Sequence, residues 1–275
     1  MRRPTAGFEV VTTRAGHRAV LDRQTGEVMH PVVSPQREAE QLYLGPARLR
    51  DRLLQDNPSA LCLLDVGLGA GSNACAAMRL AHELAGRARP LQLYSFDRTT
   101  DALMLACAEA HAQGFEFDAA FCALARELVE RGQVKFPGGE WFLRLGELPQ
   151  SLLDVPAADV VFWDPFSPRR NPELWSVAAF QALRQVCASG ATVHTYSGAT
   201  ATRSAMLLAG FAVGVGPVLG GGKRATMAAV DYAVLENPLP PSFLQRLQRS
   251  SAPFPEDAPS DALQRLAVHA QFQAL

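Results

Sequence analysis

Leu61-Cys62-Leu63-Leu64-Asp65-Val66-Gly67-Leu68-Gly69-Ala70-Gly71-Ser72-Asn73 is the stretch that decides the fold. Four apolar residues, an acid, and glycines at every second position (Gly67, Gly69, Gly71) describe a buried strand that ends in a tight turn and opens a helix. Glycine there lets the backbone approach a ligand closely, and the helix that follows offers free N–H groups to a negative group. A dinucleotide fingerprint needs its third glycine where this chain has Ser72, so the spacing suits S-adenosylmethionine better than NAD.

Outward from that turn, apolar runs at residues 91–96, 141–145, 159–163 and 192–196 alternate with helical patterns at 72–84, 100–113, 117–131, 173–188 and 200–209. Such alternation predicts a mostly parallel sheet with helices on both faces. Two further runs, 211–215 and 226–234, are joined by a loop without a helix, so that pair should be antiparallel. The expected fold class is α/β: a Rossmann-like class I methyltransferase with a mostly parallel seven-stranded sheet and an antiparallel last strand. Upstream, residues 8–12 and 17–22 read as a hairpin turning at Ala15-Gly16. Ser34-Pro35 marks a helix start that carries Ala39, Leu42 and Tyr43 inward, and Pro46 starts another short helix through Leu54. The expected organisation is an N-terminal hairpin and helical extension at 1–56, the methyltransferase domain at 57–235, and a Pro-rich appendage at 236–275 with short helices near 243–247 and 262–272.

Composition limits the function classes. With 48% hydrophobic and 19% charged residues over 275 positions, the chain can bury a large core. A net charge of −1 supplies no global attraction to nucleic acid, so RNA binding must use a local basic patch. Cys62, Cys75, Cys107, Cys122 and Cys187 form no Cys-x-x-Cys pair, and no His/Cys/Asp cluster has metal spacing. No metal, disulfide framework, signal peptide or membrane span is expected, and a soluble cytoplasmic protein is.

In a doubly wound sheet, ligands sit beyond the carboxyl ends of the strands. Asp97 ends the next strand, 26 residues after Gly71, where a carboxylate can accept from two ribose hydroxyls; alternatively it caps the helix marked by Thr99 and Thr100. Glu147 follows the third strand and can reach an adenine amino group, or it is a solvated acid. Asp65, or a carbonyl near Gly67, can hold a methionine ammonium. On the acceptor side, Asp164-Pro165-Phe166 resembles the Asp-Pro-Pro-Tyr type of motif in amino-group methyltransferases. In that motif an acid and a backbone carbonyl align an amine, and an aromatic ring packs on it. Phe166 reads equally well as core, and Trp175 reads better as a core anchor than as a stacking platform. Arg169, Arg170, Lys223 and Arg224, the last two following Gly220-Gly221-Gly222, make a phosphate footprint or two unrelated solvated pairs.

The ordered series resembles the methyltransferase domain of the bifunctional tRNA 5-methylaminomethyl-2-thiouridine biosynthesis proteins (MnmC) and its stand-alone MnmD counterpart. The likeness includes Thr25-Gly26-Glu27-Val28-Met29-His30, Leu42-Tyr43-Leu44, the glycine turn with Asn73, Tyr94-Ser95-Phe96-Asp97 and Gly146-Glu147. It continues through Asp164-Pro165-Phe166-Ser167-Pro168, Asn171-Pro172-Glu173-Leu174-Trp175, Thr195-Tyr196-Ser197 and Gly222-Lys223-Arg224. The chain departs at Pro165, where Gly or Ala is common. The resemblance implies S-adenosylmethionine as cofactor, Asn73 among its ligands and Tyr196 among the acceptor-site residues. The implied substrate is the aminomethyl nitrogen of a modified wobble uridine in tRNA. No flavin-oxidase pattern follows Val234, so the stand-alone type is expected, with a separate flavin oxidase as the partner that supplies the aminomethyl substrate. A methyltransferase acting on a small-molecule or protein amine, an aminopropyltransferase, and a non-catalytic binding module on the same fold are the alternatives.

Overall fold

The structure, a computed structural model, describes residues 7–29, 34–108, 111–152, 154–218 and 222–273. His30 and Gly220-Gly221 lie outside the described residues. The chain divides into two compact units, Met1–Glu147 and Leu148–Leu275.

The first unit opens with the hairpin β1 (Phe8–Thr12) and β2 (Arg18–Asp22), antiparallel with Val10 opposite Val20. In α1 (Pro35–Glu38), Ser34 Oγ accepts from the Arg37 N–H at 3.4 Å and Pro35 supplies the first helical residue, whose missing N–H costs nothing there. Residues Ala39–Leu44 then widen into a π-helical turn that buries Ala39, Leu42 and Tyr43. The helix expected from Pro46 is shorter, because Arg48 has a left-handed φ of 49° and α2 (Leu49–Leu53) can begin only after it.

Next come β3 (Leu61–Val66), α3 (Ser72–Glu83), β4 (Leu91–Asp97), α4 (Asp101–Ala106), α5 (Ala119–Arg131), β5 (Gln133–Phe136) and β6 (Gly139–Leu145). All six residues of β3 are buried, as a strand covered on both faces requires. The strand order in this unit is β5-β6-β4-β3, with β4 parallel to β3 and β6, and β5 antiparallel to β6. Helix α4 stops at Ala106 instead of continuing to 113, and residues Ala112–Phe115 form a separate 3-10 turn. That turn lies close against the hairpin: a Cβ on Gly114 would stand 2.5 Å from Cγ of Arg18. Strand β5 corrects the expected count of seven, since among the described residues four strands lie in each unit apart from the hairpin. It is only four residues long and shows the alternation of a half-covered edge.

The second unit contains β7 (Ala158–Trp163), α6 (Val177–Gln185), β8 (Cys187–Thr195), α7 (Thr200–Leu208), β9 (Ala212–Val218), β10 (Arg224–Ala229), α8 (Ser242–Arg249), α9 (Ala262–Ala267) and α10 (Ala270–Gln273). Its order is β7-β8-β10-β9; β7 and β8 are parallel, and the last strand, β10, runs antiparallel to both neighbours. The helix expected at 173–188 is split. Pro172–Trp175 is a 3-10 turn, and Ser176, in an extended conformation, caps α6 by accepting from the Ala179 N–H at 3.1 Å. Residues 236–273 pack along their unit: Asp257 accepts from the Val177 and Ala178 N–H groups at 3.0 and 2.9 Å, and Phe243, Leu247, Leu266 and Phe272 are buried. Among the described residues, no helix is long and apolar enough to cross a membrane.

Candidate functional site

The glycine turn is built from three positive φ angles, 91° at Gly67, 50° at Gly69 and 91° at Gly71, which side chains with a Cβ rarely adopt. The glycines do different work. A Cβ on Gly71 would stand 2.6 Å from Cδ1 of Leu103 and 3.3 Å from the Phe121 ring, so this position is a packing requirement. Phe121 belongs to an aromatic run beneath the turn, with ring centroids 4.7 Å from Phe117 and 5.5 Å from Trp141. A Cβ on Gly69 would stand 3.1 Å from the Met29 sulfur, so Met29 covers one side of the turn.

Asp97 closes the other side. Its Oδ2 accepts from the Gly69 N–H at 2.9 Å, while Oδ1 accepts from the Arg98 N–H at 2.7 Å and the Thr99 N–H at 3.5 Å. The strand-end acid therefore both fixes the turn and caps the loop ahead of α4. Burial pushes its carboxyl above the usual carboxylate range, and the three backbone donors oppose that rise without cancelling it. Glu147 is exposed and pairs with Arg98 Nε at 3.0 Å. Asp65 is 1% exposed; its Oδ2 accepts from Ser95 Oγ at 2.9 Å, and Ser95 Oγ accepts from the Trp141 indole N–H at 2.9 Å. That chain ties β3 to β4 and β6 and gives Asp65 a buried, sheet-bracing position. Asn73 is also buried, in the first turn of α3. Beside it, Ser72 Oγ is buried and has no hydrogen-bond partner among the described residues. A cradle with backbone at Gly69, a strand-end carboxylate and an unanswered hydroxyl fits a ribose-bearing cofactor.

In the second unit, the loop after β7 carries Asp164 and Phe166, both half-buried, and Pro165, which is buried. The carbonyl of Pro165 accepts from the Tyr196 hydroxyl at 3.0 Å, and the carbonyl of Phe166 accepts from the Trp175 indole N–H at 2.8 Å. Trp175 and Tyr196 meet edge to face, 5.6 Å apart at 78°, so the two donors brace one another as well as the loop. Trp175 is 2% exposed, which makes it an anchor and not a stacking platform. Tyr196 has its hydroxyl directed at the loop backbone. Arg169 and Arg170 are exposed in a turn where the Ser167 carbonyl accepts from the Arg170 and Asn171 N–H groups at 2.8 and 3.0 Å. Lys223 and Arg224 are exposed at the start of β10.

The first unit thus brings together Gly69, Asp97 and Met29, and the second brings together Pro165, Phe166, Trp175 and Tyr196. Sequence reasoning missed Met29 as a wall of the turn and Trp175 as a donor to the loop, because no local pattern encodes either pairing. Among the described residues, no three His, Cys, Asp or Glu side chains are grouped to hold a metal ion.

Residues 127–231 match the family described as S-adenosyl-L-methionine-dependent methyltransferase. The chain is 31% identical over 225 residues to the tRNA 5-methylaminomethyl-2-thiouridine biosynthesis bifunctional protein MnmC of Methylibium petroleiphilum, covering 76% of this chain and 32% of that one. The protein of the same name in Burkholderia vietnamiensis is 28% identical over 223 residues, covering 78% of this chain and 34% of that one. The chain therefore spans about a third of the length of these curated relatives. The solved structure of MnmC2 from Aquifex aeolicus shares the fold, with a TM-score of 0.71 at 22% identity, covering 96% of this chain and 84% of that one. Fold and sequence likeness agree: the chain has a Rossmann-like class I methyltransferase fold, its residues 127–231 match the S-adenosyl-L-methionine-dependent methyltransferase family, and it is similar to one part of the MnmC proteins.

Proposed function

We propose that the protein methylates the aminomethyl nitrogen of 5-aminomethyl-(2-thio)uridine at the wobble position of tRNA, giving the 5-methylaminomethyl product. The observation that carries this reading is the Asp164-Pro165-Phe166 loop, whose second and third carbonyls are tied by Tyr196 and Trp175. A loop fixed in that way suits the alignment of a small nucleophile. The naming of the curated relatives supports the tRNA acceptor.

S-adenosylmethionine supplies a methyl group already activated on a sulfonium, so no general acid is needed at the donor. Asp97 would accept from the ribose hydroxyls, and the Gly67–Gly71 backbone would lie against the methionine portion. Glu147 would meet the adenine edge after releasing Arg98. Asp164 would accept from an N–H of the neutral amine, aim its lone pair, and stabilise the positive charge that grows on nitrogen. Phe166 would shield that charge from water. In this reading the hairpin and helices of 1–56 and the segment 236–275 flank a catalytic domain at 57–235, the protein works in the cytoplasm, and a flavin oxidase activity supplies the amine.

The test is to incubate the protein with labelled S-adenosylmethionine and tRNA from cells lacking the modification, then identify the labelled nucleoside by mass spectrometry. Label on the side-chain nitrogen of the wobble uridine is the expected result. Label on another nucleoside, or none, would overturn the acceptor.

A further inference from the structure

Arg203, on α7, is 5% exposed, yet no carboxylate among the described residues answers it. Its Nε donates to Thr226 Oγ1 at 3.0 Å, and its Nη2 donates to the carbonyls of Ala225 at 3.0 Å and Arg224 at 3.3 Å. Thr226 Oγ1 in turn donates to the Ser197 carbonyl at 2.6 Å. The packing around this knot is tight: a Cβ on Gly198 would stand 2.1 Å from the Arg224 carbonyl oxygen. One guanidinium thus pins the start of β10 with neutral oxygens alone.

Buried charges are ordinarily paired, because leaving water without a counter-charge is costly. Here the surroundings add to that cost. Burial, followed by the fields of Arg246 and Arg224, lowers the Arg203 pKa to about 10, so the group stays charged at neutral pH among like charges. Arg224, Arg246 and Lys223 are all exposed, and none of them forms an ion pair among the described residues. The second unit therefore carries a group of cations, one buried and three exposed, that no ion pair among its described residues neutralises.

Resting on the tRNA reading above, we propose that Arg224 and Arg246, backed by Lys223 and by the buried charge of Arg203, form a contact surface for the phosphodiester backbone of the RNA substrate. Guanidinium groups match phosphate oxygens through paired donors, and the repeating phosphates of a polymer can meet several such groups at once. The exposed heads stand on a strand start and on α8, an arrangement suited to a polymer passing over them. Arg203 holds the backbone of Arg224 in place and adds a charge that solvent screens poorly. This gives α8, in the Pro-rich segment, a part in substrate binding.

The test compares the wild-type chain with Arg224→Gln, Arg246→Gln, the double variant and Arg246→Lys. An unmodified tRNA transcript and inorganic polyphosphate serve as probes, each titrated over a range of KCl. Thermal melting and S-adenosylmethionine affinity check that each variant is folded. In the expected result the plot of log Kd against log[KCl] flattens by about 1 for each phosphate-binding arginine replaced by glutamine, alike across tRNA species, while Arg246→Lys keeps the wild-type slope. A folded double variant with the wild-type slope would overturn the surface and leave the tRNA reading standing. A wild-type chain that ignores tRNA but binds polyphosphate through these arginines would overturn the tRNA reading and the RNA assignment of this surface with it.

Discussion

The glycine turn of the first unit and the Asp164 loop of the second are both strand-end loops, yet they are fixed in opposite ways. In the turn, a backbone donor, the Gly69 N–H, is held by a side-chain acceptor, Asp97. In the loop, backbone acceptors, the Pro165 and Phe166 carbonyls, are held by side-chain donors, Tyr196 and Trp175. Sequence distance does not separate them: Asp97 lies 28 residues from Gly69, and the loop's aromatics lie 9 and 31 residues from the carbonyls they hold. The turn takes its curvature from its own glycines and is held at one backbone donor. The loop takes its hold from two side-chain donors and can be retuned one donor at a time.

The largest effect that would break this comparison is at Asp164. Asp164→Ala should leave the S-adenosylmethionine affinity near that of the wild type and cut kcat by roughly 100-fold or more, the scale seen when a preorganised polar group is removed from a reacting centre. Calorimetry with the donor and single-turnover kinetics check the two halves, and a wild-type kcat would remove Asp164 from the chemistry. Asp97→Ala should do the reverse, weakening donor affinity by at least about tenfold to a hundredfold, the scale of one charge-assisted hydrogen bond of about 1.5–3 kcal/mol.

Tyr196→Phe is a smaller and sharper test. Losing one neutral hydrogen bond, worth about 0.5–1.5 kcal/mol, should lower kcat about threefold to tenfold with donor affinity unchanged. A rise in acceptor KM with kcat intact would place the hydroxyl on the substrate instead of the loop. The smallest effect is the pH dependence of donor binding. Accepting hydroxyl donors requires the ionised Asp97, and burial raises its pKa, so donor affinity should fall as pH drops through that raised value. Asp97→Asn should flatten the profile, as titration calorimetry at several pH values would show.

Much of the glycine turn was legible because its determinants are consecutive. An apolar run, an acid and alternate glycines specify strand, turn and helix with little help from elsewhere, and the observed β3 and the start of α3 coincide with the expected ones. The antiparallel β9–β10 pair was legible for the same reason, since a connection without a helix leaves few alternatives. What could not be read was set by packing at a distance. Strand β5 offers only Val134 and Phe136 as inward residues, too short a pattern to separate from a loop. Residues 173–188 keep a helical pattern through Ser176, but an extended backbone there and a cap supplied in part by Asp257, 80 residues on, divide the segment. The same limit hid the indole of Trp175: its residue type suggested an anchor, but no periodicity names Phe166 as its partner.

Gln271 governs what the outermost strand, β9, can recruit. Its side-chain amide accepts from the Val213 N–H at 2.7 Å and donates to the Val213 and Leu239 carbonyls at 2.8 and 3.1 Å, imitating a peptide unit laid against that strand. Residues 237–239 already pair with part of that edge, through the Val215 N–H to the Asn237 carbonyl at 2.7 Å and the Leu239 N–H to the Val213 carbonyl at 2.9 Å, so Gln271 completes the cover at the Val213 N–H, and an uncovered edge is a template for adding a foreign strand. Deleting the last helix should therefore let the molecule gather its own kind, visible as a rising scattering mass at constant concentration.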